Sequence, residues 1–242
     1  MSKLPNAPLV EVIFELKWNV NSEEQLQKAD YLVGDLFPMI KEDYPFRQPL
    51  VPAGIPANML VHSPVQRFRK FENDYPLIQV GPGLLTLNVT DEKYFWDDFY
   101  ACAESLCNVF FEIYEVGSEE IVPSLSYFDF FMFDFEKANV NDFLKESFNI
   151  EIKQSFLQSK TNPFNLDVGF YFEVDLGRFS LTLKKGTNQS GAIGIVMQTS
   201  IHASNLMFDA KEPVIDWLGK AHAFSSKNFK EITKGALYKS FQ

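Results

Sequence analysis

Two hydrophobic periods divide the chain. Between Leu9 and Trp18, Val10, Val12, Phe14, Leu16 and Trp18 alternate with Glu11, Glu15 and Lys17. A period of two predicts a half-buried strand. Ser22-Glu-Glu-Gln25 has the spacing of a capping box, in which side chains satisfy the free amides of a first helical turn. Leu26, Ala29, Val33, Leu36 and Ile40 follow at helical spacing, and Pro38 is expected to end or kink that helix. Leu77 to Val89 holds two strand-like runs around Gly81-Pro82-Gly83 and predicts a hairpin at the centre of the fold. Thr90 is the expected cap of the next helix. Its apolar stripe is Phe95, Phe99, Cys102, Leu106, Phe110 and Ile113, widened by Trp96 and Tyr114, and Gly117 is the expected stop.

The second half repeats the contrast. Ser124 to Phe135 is almost continuously apolar, as expected of a central strand buried on both faces. Asn139 is placed to cap a short helix. The runs 166–176, 179–183 and 193–201 alternate again and predict an antiparallel meander with one wet face. The chain then turns helical, with Pro213 in the first turn, one pattern through Trp217 and Leu218 to Phe224, and a second from Ser226 to Phe241. Residues 44–64, with five prolines, read as a loop, a surface crossover in preference to a binding element. Val65 to Phe71 reads as a strand carrying Arg67, Arg69 and Lys70. The expected fold is α+β: a mostly antiparallel twisted sheet packed by two or three long amphipathic helices. One domain would span 1–242, with pseudo-halves 1–120 and 121–242 sharing one core.

Composition narrows the function more than the fold. The 242 residues are 46% hydrophobic and 15% aromatic, with 25 Phe, which excludes a disordered chain. The formal charge of −10 and pI near 4.8 disfavour a nucleic-acid binder, because phosphate binding rests on Lys and Arg. Cys102 and Cys107 point to different faces of one predicted helix and are not expected to bridge. The N-terminus lacks a signal-peptide core, and no apolar run approaches the ~20 residues that span a bilayer. A reduced, cytoplasmic location away from membranes is expected.

Catalytic signatures are scarce. His62, His202 and His222 are isolated, with no His-Glu-x-x-His helix, so no metal is expected. Gly186-Thr-Asn-Gln-Ser-Gly191 has a phosphate-loop gap but joins two predicted strands and reads as a hairpin turn. No Gly-x-Ser-x-Gly elbow occurs, and no cofactor is expected. Asp129 stands out because it shares a face of the apolar strand with Tyr127, Phe131 and Phe133, where burial is costly unless paired. Arg67 or Arg69 is the expected partner, a structural pair being favoured over a site contact. His222, near Asp216, is placed for acid–base work, though a packed structural histidine is the plainer reading.

Several segments together resemble a known group. These are Leu4-Pro-Asn-Ala-Pro-Leu-Val-Glu-Val-Ile-Phe-Glu-Leu16, the hairpin 77–88, and Tyr94-Phe-Trp96 with Phe99. Tyr127-Phe-Asp-Phe-Phe131, Asn139-Val140 with Phe143-Leu144, and Trp217-Leu218 with His222 extend the likeness over most of the chain. They resemble an uncharacterised bacterial protein family of about this length, sporadically distributed among genomes. The resemblance implies no activity, cofactor or catalytic residue; the patchy distribution implies mobile or phage-defence gene neighbourhoods. Three functions stay open. The favoured one is a non-enzymatic protein-binding or self-associating module. The second is a small-ligand-binding or hydrolytic enzyme using Asp129, His222 and an arginine, with Arg67, Arg69, Asp129 and His222 as the candidate ligand-binding residues. The third is nucleic-acid binding through Arg67, Arg69 and Lys70 with Lys184-Lys185.

Overall fold

The computed structural model describes residues 4–116, 121–153, 163–204, 208 and 210–242. Among these, the strands of the first half are β1 Leu9–Trp18, β2 Phe46–Pro49, β3 Gln66–Arg69, β4 Leu77–Gly81 and β5 Leu84–Thr90. Those of the second are β6 Ile121–Met132, β7 Asp167–Val174, β8 Gly177–Thr187 and β9 Ile193–His202. The helices are α1 Glu23–Ile40, α2 Trp96–Ile113, α3 Val140–Phe148, α4 Lys211–Ile232 and α5 Ala236–Lys239. All nine strands join one antiparallel sheet in the order β2-β3-β4-β5-β1-β6-β9-β8-β7. The fold is α+β.

The alternation in β1 decides which face of the sheet is covered. Phe14 pairs with Leu87 of β5 and with Leu125 of β6, Leu125 pairs with Ile201 of β9, and Ile201 with Phe179 of β8. These side chains share one face, and buried apolar residues of α1, α2 and α4 pack over it. The opposite face carries Glu11, Glu15, Thr86, Asn88, Ser124, Ser126 and Ser200. Asn88 donates to Glu11 at 2.9 Å, the Ser126 and Ser200 hydroxyls meet at 2.7 Å, and Gln198 donates to Ser200 at 3.0 Å. Small polar groups on this face satisfy one another.

Buried residues form two clusters on the covered face. One joins β1, β4 and β5 to α1, α2 and the start of α4; the other joins β8 and β9 to α3 and Phe241. Phe224 of α4 packs against both.

Local chemistry explains most of the elements. Ser22 and Gln25 form the capping box of α1, and Asn139 caps α3 by accepting from Asn141 N at 2.9 Å. Pro82-Gly83 turns the central hairpin, where Gly83 holds φ +72. Asn188 accepts from Ser190 N and Ala192 N and closes the 188–192 turn, so the glycine-spaced loop is a hairpin turn. Cys102 and Cys107 are free.

Several expectations need correction. Helix α1 does not stop at Pro38 but runs two residues further, to Ile40. Val10 is exposed, since the β1–β6 register shifts between Leu9 and Glu11 and turns it off the core face. Thr90 precedes a short 3-10 turn, Asp91–Lys93, and α2 begins only at Trp96. Its expected stop, Gly117, lies outside the described residues. The 44–64 stretch contributes edge strand β2, which fits its prolines, because an edge needs fewer amide donors. The two C-terminal patterns are one helix, α4. Ser225 and Ser226 carry no breaker, and the break comes near Gly235 at φ +120.

Candidate functional site

Strand β6 supplies the floor of a cavity. Tyr127 and Asp129 lie two apart, so both point to the helix-covered face. Thr199 of β9 sits directly beside Tyr127 in the ladder. Helix α4 adds His222 and Ser225, one turn apart, and packs against α2, which opens at Trp96. The two ends of the chain close the rim, where Asn6 N donates to Phe241 O at 3.1 Å. The cavity is partly open to solvent and has a volume of about 400 Å³.

One wall is a hydrogen-bonded relay. Tyr94 Oη lies 3.2 Å from Tyr127 Oη, and Tyr127 Oη lies 2.7 Å from His222 Nδ1. Trp96 stacks on the His222 ring with centroids 3.6 Å apart and planes 8° from parallel. Burial pushes the imidazole down to about 4, so it is neutral at pH 7. Burial pushes Tyr94 up to about 12 and raises Tyr127 well above the usual phenol value. Both phenols keep their protons. His222 Nε2 is buried and has no hydrogen-bond partner among the described residues.

Asp129 faces the same space. It is 3% exposed, and its Oδ2 has no hydrogen-bond partner among the described residues. Burial, and secondarily the charge of Asp91, pushes its carboxyl up to about 8. The group is therefore mostly protonated at neutral pH. Ser225, also 3% exposed, presents a third orphan, its Oγ. Buried polar atoms are normally satisfied, and among the described residues these three have no partner on one cavity lining.

Two of the four residues singled out in the sequence meet here: Asp129 and His222 both line the cavity. Arg67 and Arg69 do not. Strand β3 is four strand steps from β6, a separation of about 19 Å. Their register with Gln79 and Leu77 also puts them on the uncovered face. The expected Asp129–arginine pair does not form, because β4, β5 and β1 lie between β3 and β6. Arg69 lies instead over the Tyr75 ring, 5.5 Å from its centroid. Lys184 and Lys185 belong to β8, six strand steps from β3, so the basic residues form no single patch.

Sequence reasoning missed Tyr94, Trp96, Tyr127 and Ser225 as site residues. Their aromatic rings merged with the core pattern. The readable signal was the pair Tyr127 and Asp129, two polar tips on the buried face of an otherwise apolar strand. Among the described residues no cluster of His, Cys, Asp and Glu is arranged to hold a metal ion, and no helix is long and apolar enough to cross a membrane. Compared with family models, curated proteins and solved structures, the chain finds no match.

Proposed function

We propose that the protein binds a small organic molecule in the cavity between β6, α2 and α4. The observation that carries this reading is that Asp129, His222 and Ser225, whose buried Oδ2, Nε2 and Oγ have no hydrogen-bond partner among the described residues, line one cavity. Binding is favoured over hydrolysis. Neither Arg67 nor Arg69 reaches the site, and a histidine held near 4 is a poor base at neutral pH. Ligand-observed NMR with a fragment library tests the reading. Fragments that bind the native protein should lose their signal in Ser225→Leu, whose side chain intrudes into the cavity. Absence of binders, or binding indifferent to that substitution, would count against it.

A second reading is the protein-binding or self-associating module. It is supported by Tyr171 and Phe172, 68% and 50% exposed on sheet-edge strand β7, where pairing with a second copy would bury them. Concentration-dependent sedimentation, abolished by Phe172→Lys, would support it. The layout of two α+β halves belongs with these proposals. From the β1–β6 pair outward the sheet reads β5-β4-β3 on one side and β9-β8-β7 on the other. Membership of the sporadically distributed bacterial family, and with it a mobile or phage-defence neighbourhood, rests on the segments quoted above.

A further inference from the structure

We propose that Arg67 and Arg69 form a binding site for a phosphate dianion, free or as the monoester of a small molecule, on the sheet face opposite the helices. The site lies four strand steps from β6 and stands independently of the cavity.

Strand geometry brings the two guanidiniums together. Arg67 and Arg69 lie two apart in β3, so both point to one face, with Cβ atoms about 7 Å apart. Side chains of this length can converge on one anion across that gap. Arg69 is 7% exposed and Arg67 is half-buried, so solvent reaches the pair. The Nε of each is buried without a hydrogen-bond partner. Neither arginine makes a hydrogen bond or an ion pair among the described residues. The other arginines do: Arg47 donates to Gln66 at 3.1 Å and Arg178 to Glu173 at 2.9 Å.

Nothing on the surrounding face neutralises the pair. Gln48 and Gln79 flank Arg67 in the ladder, and Phe46 and Leu77 flank Arg69. Beyond them on β5, Thr86 donates to Asn88, and Asn88 to Glu11. The acids of that face, Glu11 and Glu15 of β1, are three strand steps from β3, about 14 Å. Glu15 is held by Lys17 at 2.8 Å. Of the acids just past β3, Asp74 pairs with Lys93 at 3.7 Å and Glu72 is exposed. A chain with 32 acids and 22 Lys and Arg thus leaves a buried arginine and its neighbour without one. A guanidinium withdrawn from water without a counter-charge is costly, and an anion from outside removes that cost.

The donor set favours phosphate over carboxylate. A carboxylate offers two oxygens and one charge, which suit one guanidinium fork. A phosphate monoester offers three oxygens and about two charges at neutral pH, enough to engage both forks. Gln48 and Gln79 add amide donors beside Arg67. Phe46, 37% exposed beside Arg69, offers ring surface to an ester group.

Titration of the ¹⁵N-labelled protein at pH 7.5 and constant ionic strength tests this, read at the arginine Nε–H resonances. Phenyl phosphate and inorganic phosphate should move the Arg67 and Arg69 signals, and phenyl phosphate should bind at least about tenfold more tightly than benzoate. Phenyl phosphate binding above inorganic phosphate supports a monoester, and equal binding supports the free ion. Arg67→Gln and Arg69→Gln should each weaken binding at least about tenfold. Arg67→Lys keeps the charge without the fork and should fall between Arg67→Gln and the native protein. Arg67 is the more exposed of the two, so its variants keep the test readable where Arg69→Gln does not fold. Benzoate binding as tightly as phenyl phosphate, Nε–H signals that stay in place, or undiminished binding in folded Arg67→Gln overturns the proposal. Oligothymidylate binding through the same signals more tightly than phenyl phosphate also overturns it, since the face would then serve a nucleic-acid backbone.

Discussion

Tyr127 Oη lies 2.7 Å from His222 Nδ1, so the middle of the central strand is joined to the middle of the longest helix through one polar contact. Tyr94 Oη stands 3.2 Å behind the same phenol, which makes Tyr127 the shared member of a three-residue chain. Tyr127→Phe keeps the ring and removes the oxygen. It leaves His222 Nδ1 and the Tyr94 hydroxyl buried without their partner. The expected cost is about 1–3 kcal/mol, since an orphaned buried polar group loses more than the bond itself contributed. Urea unfolding measures it. Tyr94→Phe, at the end of the chain, should cost less, and equal losses would contradict the relay.

Asp129 and His222 impose opposite pH dependences on stability. Asp129 titrates near 8 when folded and near the usual carboxylate value when unfolded. Unfolding therefore releases a proton between about 4 and 8, and stability falls as pH rises through that window. His222 titrates near 4 when folded and about 6.5 when unfolded. Unfolding takes up a proton between those values, and stability rises with pH there. His202, lowered by burial, adds to that rise. The two cavity groups offset each other below about 6.5. Above it the raised Asp129 carboxyl sets the sign, so stability falls as pH rises, and the fall fades as pH approaches about 8. Denaturation midpoints at pH 6.5, 7.25 and 8 should show this fall in the native protein and not in Asp129→Asn.

The architecture was legible because its signals are local. Period-two alternation placed β1 and the meander, and a side chain answering free backbone amides placed the starts of α1 and α3. The site was only half legible because it depends on which strands become neighbours. Asp129 is conspicuous as an acid on a buried face, but its expected partners Arg67 and Arg69 depend on the hairpin region being its neighbour, and the sheet places β4, β5 and β1 between them. His222 meets Tyr127 across 95 positions of sequence, and no local pattern encodes that distance. Trp96 looked like core because an aromatic ring at helical spacing has the same signature whether it packs on leucine or on imidazole.

Gly194 marks where β9 approaches β6 too closely for a side chain. A Cβ there would collide with the Phe131 carbonyl oxygen and the Phe130 ring. Backbone cannot move aside as a flexible side-chain end can, and both residues belong to the central strand. Gly194→Ala should cost about 2–3 kcal/mol, in the range of overpacking within a dense core. Gly191→Ala, in the preceding turn at φ +80 with open space around it, tests a different cost. Its penalty should be about 1 kcal/mol, from backbone conformation alone. Thermal unfolding of the two variants separates collision from conformation, and a Gly194 variant as stable as the native protein would rule out the close approach.

Trp96 shields the His222 ring by lying flat against it at 3.6 Å. That cover keeps water from the imidazole, and burial is the first cause of its low titration point. Trp96→Leu leaves an apolar side chain but removes most of the stacked surface. Water then reaches the ring and the charged form becomes less costly. The titration of His222 should move upward from about 4 by at least about 1 unit, read from its ring-proton NMR shifts. His202 lies on the opposite face of the sheet, paired with Ser124, and its titration should stay in place as the internal control. An unchanged His222 would mean that desolvation comes from the Tyr127 side, and Tyr127→Phe would then be the variant that moves it.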